Sequence, residues 1–150
     1  MGFFDGYDVA TSGMSAQRTR INMVSANIAN AQTTHTTEGG PYKKQNVVFE
    51  EVLLNSTKKD TDNNFTDQLD PLALRGVNVK EIIDSKEDAI LKYEPEHPDA
   101  NEDGYVAYPN INPVIEMVDL IEAMRSYEAN VSAFKTQKDM DTQTLDIIKS

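Results

Sequence analysis

Residues 112–148, NPVIEMVDLIEAMRSYEANVSAFKTQKDMDTQTLDII, carry the pattern that decides the fold. Large apolar side chains return here at heptad spacing, which is typical of a helix that packs along another helix. The two apolar rows are Met117, Met124, Val131 and Leu145, and Leu120, Tyr127, Phe134 and Ile148, with Lys138 and Asp141 as one polar layer. Asn112 can cap a first turn, and proline is favoured at the first helical position. The stretch therefore predicts a helix from Pro113 to Ile148, roughly 54 Å long.

The N-terminal segment repeats this pattern. Its apolar rows are Tyr7, Met14, Ile21 and Ile28, and Phe3, Ala10, Val24 and Ala31, with polar Gln17 breaking one row. A helix from near Phe4 to Ala31 would be roughly 42 Å long. All 6 prolines lie between the two segments, so both are free to form uninterrupted helices. Because the chain leaves the middle region at both ends, we expect the helices to lie antiparallel as a coiled-coil-like pair.

The sequence of the middle region predicts short strands. Stretches rich in β-branched and aromatic residues, bounded by Gly, Pro and Asp, are Tyr42 to Phe49, Leu74 to Ile83, Ala89 to Tyr93 and Gly104 to Tyr108. They predict one small antiparallel sheet. Residues 55–70 are rich in Asp, Asn and Lys, with only Phe65 and Leu69 as apolar anchors, and predict a mobile surface loop. The predicted fold class is α+β, with units 1–36, 37–111 and 112–150.

The two apolar seams indicate that the chain needs partners. Both helices are longer than a small sheet can cover, so much of each must project. Burying one large apolar side chain contributes about 1.5 to 3 kcal/mol, so leaving a dozen or so in water would forfeit on the order of 20 kcal/mol, more than a typical domain's stability. A self-contained helical hairpin is the simpler alternative, but the length of the seams favours packing shared with other subunits. We then expect the termini to be partly unsettled before assembly.

Composition excludes several classes of protein. A net charge of -11 and a pI near 4.5 argue against a nucleic-acid-binding surface. No apolar run approaches the roughly 18 residues that a membrane-spanning helix needs. Zero cysteines exclude disulfides, thiolate metal sites and a cysteine nucleophile. Asp5 and Asp8 interrupt the N-terminus, so we expect no cleavable secretion signal, and Gly6 stands where a myristoylation signal wants Ser or Thr.

The candidate chemical sites each have a simpler interpretation. Asp99 to Gly104 matches the opening half of an EF-hand calcium loop, but position twelve is Asn110 instead of a bidentate Glu, so a turn between two strands is favoured. His35 and His97 are expected in solvated loops, without a nucleophile nearby. Gly39-Gly40 reads as a hinge after the first helix, not as a phosphate loop. We therefore expect no metal, no cofactor and no enzymatic activity.

Two signatures carry a resemblance to a known family. Ser25-Ala26-Asn27-Ile28-Ala29-Asn30-Ala31 and Ser126-Tyr127-Glu128-Ala129-Asn130-Val131 resemble the N- and C-terminal signatures of the bacterial flagellar axial family of rod, hook and hook-associated proteins. The middle region is similar to the FlgC type of basal-body rod subunits. The elements that carry this second resemblance are Gly39-Gly40-Pro41-Tyr42-Lys43-Lys44, Val47-Val48-Phe49, Gly76-Val77-Asn78-Val79, Tyr93-Glu94-Pro95, Asp103-Gly104-Tyr105-Val106 and Pro109-Asn110-Ile111-Asn112.

The resemblance implies a structural subunit of the proximal rod, which carries torque from motor to hook. It implies export without a cleaved signal by the flagellar type III apparatus, and assembly in the periplasm. The expected partners are other rod proteins, the rod-base adaptor at the membrane ring and the export apparatus. The predicted interface residues are Tyr7, Met14, Ile21, Val24, Asn27, Ile28, Asn30, Met117, Leu120, Met124, Tyr127, Asn130, Val131, Phe134, Leu145 and Ile148.

Two alternatives stay open at this stage. Asn27 and Asn30 can act as polar register contacts, as buried asparagines do in coiled coils, or Asn30 can simply end the helix. A soluble coiled-coil adaptor or an export chaperone is the second functional hypothesis, because heptad seams alone fit either class. A calcium-binding module is the third.

Overall fold

The computed structural model describes residues 5–54 and 75–149. The elements are α1 (Asp5–Ala29), β1 (Gln45–Leu53), β2 (Arg75–Asp84), β3 (Ile90–Tyr93), β4 (Tyr105–Tyr108) and α2 (Pro113–Lys149). Two long helices flank a strand-rich middle region along the chain, which confirms the predicted α+β class. The loop predicted at 55–70 lies outside the described residues.

The helix ends follow from local hydrogen bonding. The Asn112 side-chain oxygen accepts the Val114 N–H at 3.0 Å, so this asparagine caps α2 as predicted. At the end of α1, Asn30 bonds back to the Ala26 carbonyl through both its backbone N–H (3.0 Å) and its side-chain amide (2.9 Å). Thr33 then donates to the Asn30 side-chain oxygen. Asn30 therefore lies at the end of the helix within the chain, and its role as a register contact in the assembly stays a prediction.

The helices form an antiparallel pair. Tyr7, near the start of α1, packs edge to face on Phe134 in the second half of α2, with ring centroids 4.9 Å apart. Asn27, near the end of α1, hydrogen-bonds Glu116 in the first turn of α2. The 37 residues of α2 span about 55 Å, against about 38 Å for the 25 residues of α1. The longer helix therefore extends beyond its partner.

Small residues fill the seam between the helices. Ala10 and Ala16 of α1 and Ala123 of α2 are buried. Gly13 faces Asn130, and a Cβ atom placed on this glycine would come within 2.9 Å of the Asn130 amide nitrogen. Short side chains let two helices approach closely, but they interlock less than large side chains do. Most large apolar side chains consequently lie at the edges of the seam or outside it.

The strands form two separate antiparallel pairs instead of the single sheet that we predicted. β1 pairs with β2, with a register shift between Val48 and Phe49, and β3 pairs with β4. The first pair packs on α1, where the Val77 N–H donates to Ser12 Oγ at 3.2 Å and Gly76 lies close to the same hydroxyl. Because α1 lies beside β2, β3 pairs with β4, the next strand along the chain, and not with β2.

The connection between β3 and β4 is a hydrogen-bonded turn. The Asn101 side-chain oxygen accepts the backbone N–H groups of Asp103 (3.1 Å) and Tyr105 (2.8 Å). The segment proposed as half of a calcium loop is therefore organised by its own asparagine. Val106 of β4 is fully buried.

Replacing Gly104 with alanine is expected to destabilise this turn. Gly104 has a φ of +81°, and a Cβ atom there would come within 2.9 Å of the Tyr93 ring and 3.2 Å of Pro95. Backbone strain and crowding together should lower the free energy of unfolding by about 1 to 3 kcal/mol. Urea denaturation checks this, with Gly39→Ala as the control. Gly39 also has a positive φ, +88°, but the space around it is open. The Gly39 variant should therefore lose less free energy of unfolding than the Gly104 variant.

Candidate assembly surface

The first turns of α2 expose an apolar stripe on the side away from α1. Val114, Val118 and Ile121 are 68%, 54% and 51% exposed. At 100° per residue, Val114 lies half a turn around the helix from the buried Ala123, nine residues later. Met117 and Met124 extend the stripe along one flank and are also about half exposed. We call Val114, Met117, Val118, Ile121 and Met124 the outer stripe.

The exposed side of α1 has the opposite character. Its exposed positions carry small and polar residues, namely Thr11, Ser15, Arg18, Asn22 and Ser25. The apolar row that begins at Tyr7 is half-buried along the seam. Ile21 of this row lies nine residues, or half a turn, from Ser12, which touches β2. The helix pair therefore presents a polar face on α1 and, in the first turns of α2, an apolar one.

The predicted interface residues fall into three groups. Val24 and Asn27 are buried inside the chain, so their contacts here are intrachain. Met117, Met124, Leu145 and Ile148 are exposed. The others are half-buried: Tyr7, Met14, Ile21, Ile28, Asn30, Leu120, Tyr127, Asn130, Val131 and Phe134. The structure brings Tyr7 and Phe134 together across the seam.

Sequence reasoning missed the centre of the outer stripe. Val114, Val118 and Ile121 lie in a run that is apolar almost all round the helix, so heptad rows could not select the side that faces α1. The signal that could have found it is Glu116, the one charge between Pro113 and Val118. Glu116 is only 1% exposed as a residue and marks the inner side.

Asn27 is the centre of a buried polar cluster. Its amide nitrogen donates to the Gln45 carbonyl at 2.9 Å and to Glu116 Oε2 at 3.1 Å. Its side-chain oxygen accepts the Gln45 N–H at 2.9 Å and the Tyr42 hydroxyl at 3.1 Å. One side chain thereby joins the last turn of α1, the first turn of α2 and the start of β1.

Lys44 completes this cluster. Its ammonium lies 2.7 Å from Glu116 Oε1, with the Glu116 side chain 2% exposed and the Lys44 side chain 25% exposed. Burial, with the negative charges of Asp84 and Glu116, raises the pKa of Tyr42. No buried side-chain nitrogen or oxygen atom of the cluster lacks a partner, as buried polar groups require. We call Asn27, Tyr42, Lys44, Gln45 and Glu116 the polar hub.

The far end of the seam carries a second polar contact. The Tyr7 hydroxyl donates to Asp141 Oδ2 at 2.5 Å. This hydrogen bond, with burial and the negative charge of the carboxylate adding to it, raises the pKa of Tyr7 from 10.0 to about 12. The phenol must stay protonated to donate, so this contact is sensitive to alkaline pH.

Tyr7→Phe is expected to change the alkaline stability of the chain. Below pH 10 both folded and unfolded states keep the phenol protonated, and the hydrogen bond stabilises the fold. Between pH 10 and about 12 the unfolded chain ionises first, so this contribution is lost as pH rises. The parent chain should therefore have a higher melting temperature than the Phe variant at pH 8, and this difference should disappear by roughly pH 12. Thermal melts across this range check it, and a constant difference would contradict it.

The described residues offer no site for metal chemistry. Across residues 5–54 and 75–149, no three His, Cys, Asp or Glu side chains are grouped so as to hold a metal ion. Asp99, the first residue of the candidate calcium loop, accepts a hydrogen bond from Thr34 at 2.7 Å. Within the same ranges, neither helix is long and apolar enough to cross a membrane.

Comparison with known proteins identifies the family. A family model described as flagella basal body rod protein matches residues 8–34, and one described as flagellar basal body rod FlgEFG protein C-terminal matches residues 102–147. The flagellar basal-body rod protein FlgC of Borreliella burgdorferi is 41% identical over 99% of both chains. The FlgC proteins of Aquifex aeolicus (40% identical, 99% of both chains) and Bacillus subtilis (38% identical, 99% of this chain and 100% of the relative) are similarly close. The heptad helices, the axial signatures and these full-length matches agree, and the chain belongs to the FlgC family of flagellar basal-body rod proteins.

Proposed function

We propose that this rod subunit assembles through the outer faces of its two helices and, as part of the proximal rod, transmits torque from motor to hook. The observation that carries the proposal is the outer stripe. Its five large apolar side chains are each about half exposed or more and lie together on one side of a helix. Contiguous apolar surface of this kind marks a protein interface.

The energetics support shared packing. Full burial of a large apolar side chain contributes about 1.5 to 3 kcal/mol, so covering the exposed half of five such residues contributes on the order of 5 kcal/mol. The stripe occupies the first half of α2, and α2 packs on none of the four described strands. A neighbouring subunit can therefore reach it without displacing any described part of its own chain.

The outer stripe is compatible with an open assembly. Its apolar side chains can be covered by apolar surface of a neighbouring subunit. Contacts between different surfaces of successive copies continue as a helix when the rotation does not close. A rod requires this kind of repeat.

The partners follow from this assignment. We infer contacts with other rod proteins through the helix pair, with the rod-base adaptor at the membrane ring, and with the flagellar type III export apparatus during secretion without a cleaved signal. We also infer that 1–36 and 112–150 form the rod core, with 37–111 outside it. The part of α2 that extends beyond α1 should become fully ordered only on assembly, whereas the hub holds the rest of the pair together within the chain.

Purified basal bodies test the proposal. In cells that carry the chain as their sole copy, we expect it to co-purify with the rod and to resist extraction as the rod does. A soluble coiled-coil adaptor or an export chaperone would instead remain in the cytoplasmic fraction as a small oligomer. Recovery of the chain only in that fraction would overturn the rod assignment.

A further inference from the structure

We propose that the polar hub sets the register of the antiparallel helix pair, with Glu116 and Lys44 as its positioning residues. The Glu116 carboxylate is the only buried charge among the described residues and lies in the first turn of α2. It contacts Lys44 at 2.7 Å and Asn27 at 3.1 Å. These three groups belong to three different parts of the chain, so they meet in one arrangement of the helices only.

The remainder of the seam makes register-dependent contacts that are less buried than the hub. Ala10, Ala16 and Ala123 are buried there, and small side chains of this kind fit more than one register. Asn130 lies against Gly13. Tyr7 packs on Phe134 and hydrogen-bonds Asp141, but all these side chains are only half-buried. Arg20 lies 3.8 Å from Asp119, with both side chains about one-third exposed. Among the described residues, the hub alone would leave a buried charge without its partner if the register changed.

A slip of one helical turn would dismantle the hub. It would set Leu120 or Asn112 opposite Asn27 and carry Glu116 about 5.4 Å along the seam, away from Lys44. A buried carboxylate would then lack its cation, which is strongly unfavourable. A buried polar pair that specifies register in this way is an established device of helical coils. The hub thus penalises every register but one.

The register matters for the surface of the pair. It fixes how far the outer stripe of α2 lies, along the axis, from the polar face of α1. A repeating assembly needs this offset to be equal in every copy. This consequence rests on the proposed function, whereas the register itself is a property of the isolated chain and can be measured on it.

Distances between spin labels test the inference directly. The chain has 0 cysteines, so a pair of introduced cysteines carries the only spin labels. Asn22→Cys with Lys138→Cys places exposed labels on the two helices, with an axial offset of about 25 Å. Arg125→Cys with Lys138→Cys, about 20 Å apart within α2, reports whether that helix is intact. The labels avoid the hub and the outer stripe.

The decisive variant is Glu116→Met with Lys44→Met, which removes both charges at similar volume and leaves Asn27 bonded to Gln45. A pair of this kind is often replaced without loss of stability, so the variant should stay folded. We expect an unchanged distance within α2 but an interhelical distribution that broadens or gains a component displaced by about 5 Å. Lys44→Arg, which keeps the ion pair, should retain the single narrow distance.

Two results would overturn the inference. One is a double variant with the same single, narrow interhelical distance as the parent, which would show that apolar packing alone sets the register. The other is a parent chain without a single interhelical distance, since the hub is intrachain and needs no neighbour. Neither result depends on whether the chain is recovered in basal bodies, so the proposed function is tested separately.

Discussion

Val118→Asp is expected to abolish rod assembly while leaving the isolated chain folded. Val118 is 54% exposed at the centre of the outer stripe, so the substitution removes no intrachain packing of consequence. The free energy of unfolding should change by less than about 0.5 kcal/mol. In the assembly, however, the carboxylate would be buried against apolar side chains without a partner, which should weaken association by at least about 100-fold. Swimming in soft agar and urea denaturation measure the two effects.

Thr136→Asp is the matched control for this substitution. Thr136 lies 18 residues after Val118, five complete helical turns, so it is on the same side of α2 and also exposed. It adds the same charge outside the outer stripe, and motility should be retained. Normal motility of the Val118 variant, or equal loss in both variants, would contradict the assignment of the interface to the stripe.

Lys44→Met is expected to give the largest loss of stability among single substitutions in the polar hub. The Glu116 side chain is 2% exposed, and the substitution removes the cation that lies 2.7 Å from its carboxylate. Removing one partner of a buried ion pair typically costs 3 to 5 kcal/mol, and because Lys44 is partly exposed we expect about 3 kcal/mol. Urea denaturation followed by circular dichroism measures it.

Arg75→Met provides the control, since burial alone distinguishes the two pairs. Arg75 and Glu51 are also 2.7 Å apart, but their side chains are 40% and 55% exposed. Exposed ion pairs contribute about 0 to 1 kcal/mol, so this variant should be nearly neutral. Equal losses in the Lys44 and Arg75 variants would show that the burial of the hub has no energetic consequence.

The helices were predictable because local signals agree. Asn112 and Pro113 mark the start of α2, and the structure begins the helix at Pro113. In α1, the predicted end at Ala31 lies two residues beyond the observed end at Ala29. Capping residues, the absence of proline and heptad spacing all act within a few residues of each other, so sequence alone reveals them.

The strands were predicted less completely. Each of the four predicted stretches overlaps an observed strand, because β-branched residues and turn residues are local signals too. The pairing into one sheet was wrong, since it depends on contacts between distant parts of the chain. The Val77 amide meets Ser12, 65 residues away, and no spacing in the sequence announces that contact.

The polar hub shows the same limit at the level of the site. Asn27 was singled out as a polar register contact, and the structure gives it Glu116 and Gln45 as partners. Glu116 and Lys44 were not singled out, because a glutamate in a first helical turn and a lysine before a strand are ordinary surface residues. Their meeting is created by the antiparallel packing of the helices.

We expect the outer stripe to pack against neighbouring rod subunits. Site-specific photo-crosslinking in motile cells that carry the chain as their sole copy tests it most directly. A crosslinker in place of Met124, within the stripe, should capture rod proteins in purified basal bodies, whereas one in place of Thr136 should capture much less. Two results would contradict the assignment of the interface to the stripe. One is that position 124 captures cytoplasmic proteins alone, and the other is that positions 124 and 136 capture rod proteins equally.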